Sequence, residues 1–264
     1  MTVAEALRVA EQQLADAGVD TPRADAEWLL AHVLGVSRSA VHTQTVCEVP
    51  PELELLVSRR RKREPLAYVL GEWGFRRLTL KTDARALVPR PETEVVVERC
   101  LTLLRGQSDP RVLDVGTGTG AIALALADEH PDARVTAVDL SPEALSLARE
   151  NARRLGLQLE FRAGGFETAA EGWDLVVSNP PYVAAKEWGT LQPEIREWEP
   201  RAALVGEGLH EELARLAQTR WLVLETGDGQ ADRIAGALDV LGYADITISP
   251  DLSGRARVVE GRRA

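Results

Sequence analysis

Arg111-Val112-Leu113-Asp114-Val115-Gly116-Thr117-Gly118-Thr119-Gly120 is the stretch on which the fold turns. A short apolar run closed by three alternate glycines reads as a buried strand ending in a tight turn, where the missing Cβ lets the backbone approach a ligand closely. A helix follows from Ala121 to Ala127, then a second strand, Arg134 to Asp139, ending in an acid nineteen residues after Gly120. Ser141-Pro142-Glu143 opens the next helix and Gly156 closes it. Further strands are predicted at Leu159–Arg162, Trp173–Val177 and Trp221–Glu225, and near Asp245–Ile248 and Arg257–Glu260, with a helix from Gln230 to Leu241. Such alternation is the signature of a doubly wound α/β sheet, here of seven strands.

The glycine spacing decides what the turn can hold. A dinucleotide fingerprint, G-x-G-x-x-G, leaves room for a pyrophosphate at the helix N-terminus. Here the third glycine comes one residue early, and Asp114 would sit badly beside a phosphate but well beside the ammonium of an amino acid. The acid ending the second strand, Asp139, suits ribose hydroxyls. Together these point to S-adenosylmethionine (SAM), which has a ribose and a methionine moiety but no phosphate.

Ser178-Asn179-Pro180-Pro181-Tyr182 follows the strand at Trp173–Val177. Neither proline can donate to a ladder, so the strand stops in a rigid corner. That corner offers the Asn179 side-chain oxygen and the Pro180 carbonyl as acceptors and Tyr182 as a stacking face, which suits a flat group bearing an NH2. A buried acceptor without its donor costs ~1–3 kcal/mol, so a pair of acceptors discriminates sharply for an amide or exocyclic amine. The strands before the glycine turn and before Asn179 flank the topological switch point, so methyl donor and amine share one crevice.

Ahead of the sheet, residues 1–64 read as a small helical bundle: Thr2-x-x-Glu5 forms a capping box, Thr21-Pro22 opens a second helix, Ser37 caps a short third and Pro51 starts another. Residues 65–88 read as a β-hairpin linker around Gly71 and Gly74, with Tyr68-Val69-Leu70 as one of its strands. Residues 89–264 form the third division, opening with Pro89-Arg90-Pro91-Glu92-Thr93-Glu94, whose prolines hold Arg90 in a defined place. Substrate binding through Arg90 and a plain helix cap at Thr93 are both compatible with that segment. Residues 183–208 are long for a connection and suggest a lid carrying Trp188 and Trp198, whereas Trp28, Trp73, Trp173 and Trp221 are expected in cores.

Net charge is −10, and the one dense basic run, Arg59-Arg60-Arg61-Lys62-Arg63, reads as a solvated helix end. Stable nucleic-acid binding is therefore not expected. Cys47 and Cys100 stand alone, which fits a reducing compartment, and the four histidines show no metal-ligand spacing. No apolar run is long enough for a membrane span and the N-terminus lacks a leader pattern, so a cytoplasmic protein is expected, without a metal, acting as a monomer.

With these residues in view the chain resembles the PrmC/HemK family of release factor glutamine methyltransferases. The resemblance runs through Arg63-Glu64-Pro65-Leu66-Ala67-Tyr68, Val88 to Glu94, Asp114 to Leu124, Ser178 to Tyr182, Glu199-Pro200, Leu224-Glu225-Thr226-Gly227 and Asp251-Leu252-Ser253-Gly254-Arg255. It implies a Rossmann-like methyltransferase domain that moves a methyl group from SAM, leaving S-adenosylhomocysteine, to the side-chain amide nitrogen of the glutamine in the Gly-Gly-Gln motif of class-one peptide chain release factors. Cofactor contacts would fall on Gly116, Thr117, Gly118, Thr119, Gly120, Asp139 and Asn179, and on Gly165 after the third strand. Asn179, Pro180, Pro181, Tyr182 and Arg90 would meet the substrate, with Asn179, Pro180 and Tyr182 in the catalytic role. The chain departs from the family at Ala163-Gly164-Gly165-Phe166, where an acid and a bulky residue are usual. The rival reading is a nucleic-acid adenine-N6 methyltransferase, since the same corner suits the exocyclic amine of a flipped base.

Overall fold

A computed structural model describes residues 2–44 and 50–263. Cys47, read as a lone thiol, lies outside the described residues. The described chain forms two compact units.

The first unit comprises Met1–Glu72 together with Gln192–Trp198. Helix α1 (Val3–Asp16) begins at a capping box in which Glu5 N donates to Thr2 Oγ1 and Thr2 N to Glu5 Oε2. α2 (Pro22–Leu34) ends on a left-handed Gly35, and α3 (Glu52–Arg61) and the one-turn α4 (Leu66–Leu70) follow. Their buried faces, among them Leu7, Leu14, Leu29, Leu30, Leu53 and Val69, make one apolar core. Tyr68-Val69-Leu70 is thus helical, not a strand. Pro65 fixes the entry to a single turn that a left-handed Gly71 ends, and the hairpin begins only after it.

The basic run also differs from expectation. Arg60 is buried, pairing with Asp25 at 2.7 Å and Glu194 at 2.8 Å, and Arg63 reaches Glu194 at 2.6 Å. Trp198 Nε1 donates to the Lys62 carbonyl and Gln192 to Asp20. The arginines therefore hold residues 192–198 within this unit, and charge neutralisation replaces solvation. Trp28, expected in a core, is 39 % exposed, with the Arg38 guanidinium over its ring.

The second unit comprises Trp73–Leu191 and Glu199–Ala264. A two-stranded hairpin, β1 (Glu72–Phe75) and β2 (Leu78–Lys81), leads to α5 (Thr93–Leu104). Then come β3 (Arg111–Val115), α6 (Ala121–Glu129), β4 (Arg134–Asp139), α7 (Pro142–Leu155), β5 (Glu160–Ala163) and β6 (Trp173–Ser178). The long connection after β6 carries short 3-10 turns on either side of α8 (Pro193–Trp198), which belongs to the first unit, and a bridge from Val183 to Val205 closes its base. α9 (Leu209–Leu216), β7 (Thr219–Glu225), α10 (Ala231–Val240), β8 (Tyr243–Pro250) and β9 (Ala256–Arg263) complete it.

The seven strands run β5-β4-β3-β6-β7-β9-β8; the first five are parallel and β9 lies antiparallel between β7 and β8. Strand periodicity divides the core between two faces. Val112, Leu175, Val177, Val223 and Val258 pack under α5 and α6, while Leu113, Val176, Leu222, Leu224 and Val259 pack against α9 and α10. β3 and β6 are neighbours, and the chain order reverses between them. Their carboxyl ends carry the glycine turn and the Asn-Pro-Pro-Tyr corner.

Candidate active site

The glycine turn is tied to β4 on one side: Gly116 N and Thr117 N both donate to the Val138 carbonyl, at 2.9 and 3.0 Å. Gly116, Gly118 and Gly120 all have positive φ, and a Cβ on Gly120 would lie 2.9 Å from Leu124 Cδ1. Gly118 N donates to Asp139 Oδ2 and Ser141 N to Asp139 Oδ1, both at 2.9 Å. Each Asp139 oxygen therefore keeps accepting capacity for a diol. Asn151, fully buried inside α7, donates to the Thr119 carbonyl and keeps the turn against its neighbour.

Asp114 lies beneath this turn, buried. Its Oδ2 accepts from Thr117 Oγ1 at 2.6 Å and from Ala123 N at 3.2 Å, while Oδ1 has no partner. Burial pushes its carboxyl up to about 7, against the pull of those two donors. A ligand ammonium near Oδ1 would supply the missing donor and favour the charged form. This orphan oxygen, the free lone pairs of Asp139 and a turn open to close approach fit SAM.

After β5 the chain departs from the family pattern without losing an acid. Glu167 Oε1 accepts from Gly165 N at 2.7 Å, and Leu140, 80 % exposed beside Asp139, comes within 3.2 Å of where a Gly165 Cβ would stand. An exposed leucine, a bare glycine backbone and a nearby carboxylate suit a planar base with an amino group. Neither Leu140 nor Glu167 is marked by a motif, so sequence reasoning missed both.

At the end of β6, Ser178 Oγ donates to the Val115 carbonyl at 2.7 Å and locks the two strand ends together. Asn179 is half-buried, and its Nδ2 donates to Thr93 Oγ1 at 3.4 Å. Thr93 heads α5 but caps nothing; its hydroxyl donates to Glu225 Oε2 at 2.6 Å. Pro180 is buried and Pro181 half-buried, and Gly206 lies so close that a Cβ there would stand 2.7 Å from the Pro181 carbonyl oxygen.

Tyr182 is held on three sides. Gln230 Nε2 donates to its carbonyl at 3.0 Å, its ring stacks with His210 at 6.5 Å and 24°, and a Cβ on Gly227 would lie 2.9 Å from its Cδ2. Burial pushes its hydroxyl up to about 12, which leaves it a neutral platform and not a base. Arg90, placed among the substrate contacts by the sequence, gives its Nη2 to both oxygens of buried Glu199, at 2.8 and 2.7 Å.

Known proteins resemble this chain along its whole length. Residues 5–71 match a family model described as the PrmC N-terminal domain, and residues 94–195 match one for the methyltransferase small domain. A Deinococcus radiodurans protein named release factor glutamine methyltransferase is 44 % identical, covering all of this chain and 99 % of that protein. A Cereibacter sphaeroides protein of the same name is 41 % identical over 99 % of both. Among solved structures, the hMettl16 catalytic domain in complex with the MAT2A 3'UTR hairpin 1 superposes at TM-score 0.58, with 15 % identity and 84 % of each chain covered. A methyltransferase from Pyrococcus furiosus does so at 0.51, with 18 % identity over 71 % of this chain and 89 % of that one. Likeness at such low identity establishes the fold alone: a Rossmann-like methyltransferase sheet.

Proposed function

We infer the reaction from one premise: this chain belongs to the release factor glutamine methyltransferase family. It is a SAM-dependent enzyme that methylates the side-chain amide nitrogen of the glutamine in the Gly-Gly-Gln motif of class-one peptide chain release factors. The observation that carries the reading is the union of two sites on adjacent strands, a glycine turn ending β3 over the unpartnered Asp114 Oδ1 and the Asn-Pro-Pro-Tyr corner ending β6, joined by the Ser178–Val115 hydrogen bond.

SAM supplies the methyl group from its sulfonium, the bond to sulfur breaking as the bond to nitrogen forms. A carboxamide nitrogen is a poor nucleophile because its lone pair is delocalised. Asn179 Oδ1 and the Pro180 carbonyl each accept one of its N–H bonds, which enriches the nitrogen and fixes its direction; such orientation can supply ~7–11 kcal/mol of a barrier. Tyr182 supports the plane of the amide and offers no base. The amide nitrogen's proton leaves to solvent after transfer.

Gly116 to Gly120 and Asp139 hold the donor, with Gly165 lining the base. Arg90 acts at one remove, through Glu199, on the segment that follows Tyr182. The helical unit, residues 1–64, docks the body of the release factor; its exposed Trp28 and Leu55 are suited to that contact. The reaction belongs to the cytoplasm, where release factors act.

The test is a paired assay with SAM. Transfer to a release factor and none to an adenine-containing oligonucleotide supports the reading. The reverse outcome would make this an adenine methyltransferase using the same corner.

A further inference from the structure

Two buried residues beside Asn179 have no role so far. Thr93 and Glu225 are 5 % and 1 % exposed, lie 132 positions apart in sequence, and meet through a 2.6 Å hydrogen bond. A hydroxyl has one proton to give. Thr93 gives it to the carboxylate, so its oxygen can only accept from Asn179, and the group facing it at 3.4 Å is the amide nitrogen Nδ2. The oxygen end of the Asn179 carboxamide is thereby turned away from Thr93 and left to accept. Turned over, Asn179 would present N–H to the N–H of the substrate, donor against donor.

We propose that Glu225, acting through Thr93, is a positioning residue that decides which end of the Asn179 carboxamide meets the substrate amide, and that it does so only as a carboxylate. This rests on the reading of Asn179 as an acceptor. A proton taken up on Oε2, the oxygen that faces Thr93, makes Glu225 a donor to the Thr93 oxygen. The hydroxyl proton is then released toward Asn179, whose oxygen end turns to accept it. One proton is exchanged with solvent; no bond in either substrate is involved.

The surroundings make the carboxylate easy to neutralise. Glu225 Oε1 has no partner. Arg257 on β9, Arg90 and Glu92 ahead of α5, and the Tyr182 hydroxyl are the charged and titratable groups near enough to act on Glu225. Both arginines are already engaged: Arg257 with Asp228, Asp251 and the Thr226 carbonyl, and Arg90 with Glu199. His210 reaches only the backbone oxygen of Glu225. Burial, opposed first by the Thr93 hydrogen bond and then by Arg257, holds the carboxyl near 7.

The experiment follows turnover of a release factor by the full-length enzyme across neutral pH, with SAM saturating. Saturation matters because Asp114 titrates in the same range but acts on SAM binding, which then drops out of kcat. For the wild type kcat should rise with pH through about 7 and level off. Glu225→Gln should remove that acid limb. Thr93→Val should lower kcat by about tenfold to a hundredfold with SAM binding unchanged, and Thr93→Ser, which keeps the hydroxyl, should restore it. An acid limb that persists in Glu225→Gln, or wild-type kcat in Thr93→Val, overturns the proposal. If Thr93→Val fails to fold, as melting and SAM binding will reveal, the Glu225→Gln profile decides alone. Asn179→Ala separates the two levels: full turnover there refutes the acceptor reading itself, whereas its loss beside an unaffected Thr93→Val sinks only the positioning role.

Discussion

Asp114 at the end of β3 and Glu225 at the end of β7 are two versions of one device. Each is a buried carboxylate that takes a threonine hydroxyl at 2.6 Å, keeps one oxygen without a partner, and is held near 7 by burial. They differ in where the threonine comes from and in what lies opposite. Thr117 is three residues from Asp114, inside the same turn, whereas Thr93 reaches Glu225 from the head of α5. The orphan oxygen of Asp114 waits for a cation that the cofactor brings; Glu225 acts sideways, through a hydroxyl, on a neighbouring amide. A buried acid near neutrality is thus not one kind of residue. What its hydroxyl partner touches next decides whether it binds or positions.

The largest effect should come from the amide that Glu225 serves. Asn179→Ala is expected to reduce kcat by about 10²–10³ while SAM still binds, the scale on which loss of one preorganised polar contact to a reacting group is felt. Turnover with release factor and calorimetry with SAM together check it, and comparable losses in both would make Asn179 a residue of the SAM site or of the fold.

The comparison itself is broken by exchanging each acid for its amide. Asp114→Asn should weaken SAM binding about tenfold to a hundredfold, as expected when a hydrogen bond to a charged group is lost. Glu225→Gln should leave SAM binding alone. Equal effects at both positions, measured by calorimetry at alkaline pH where both wild-type acids are ionised, would erase the distinction.

Stability should treat the two acids alike. Unfolded, both ionise in the ordinary carboxylate range; folded, both retain a proton up to about 7. Between those limits the folded state binds more protons, so unfolding free energy falls as pH rises and levels off once about 7 is passed. Buried His210, held below its ordinary range, contributes the opposite slope, so the test is a difference: in urea denaturation without SAM, the wild type should lose more stability with rising pH than Asp114→Asn or Glu225→Gln. Equal slopes in wild type and variants would mean the carboxylates are paired in a way the geometry lacks.

The smallest effect is expected far from both acids. Trp28→Ala, at an exposed position of the helical unit, should raise KM for intact release factor several-fold, the ~1 kcal/mol scale of one peripheral contact. It should not change KM for a free Gly-Gly-Gln peptide. A matching shift with the peptide would count against docking by this unit.

The same contrast explains what the amino-acid sequence disclosed. The glycine turn and its acid are contiguous, and their backbone demands are written in the residue types, so strand, turn and helix were all legible. Asn-Pro-Pro-Tyr was legible for the same reason, because proline dictates geometry locally. The Thr93–Glu225 pair was not, since no local rule links residues 132 apart until α5 is laid on the sheet. Arg60 and Arg63 misled in the same way: a basic run at a helix end resembles a solvated surface until Asp25 and Glu194 arrive from elsewhere in the chain. Tyr68-Val69-Leu70 failed for a different reason. β-propensity favoured a strand, but Pro65 and Gly71 bound a segment with room for one helical turn.

The most direct measurement is tandem mass spectrometry of a release factor after incubation with this protein and SAM. A single added methyl, localised to the side-chain nitrogen of the Gly-Gly-Gln glutamine and absent with Asn179→Ala, is the predicted result. A methyl on any other residue, or one that forms equally well without Asn179, would contradict the picture of a carboxamide held by two acceptors.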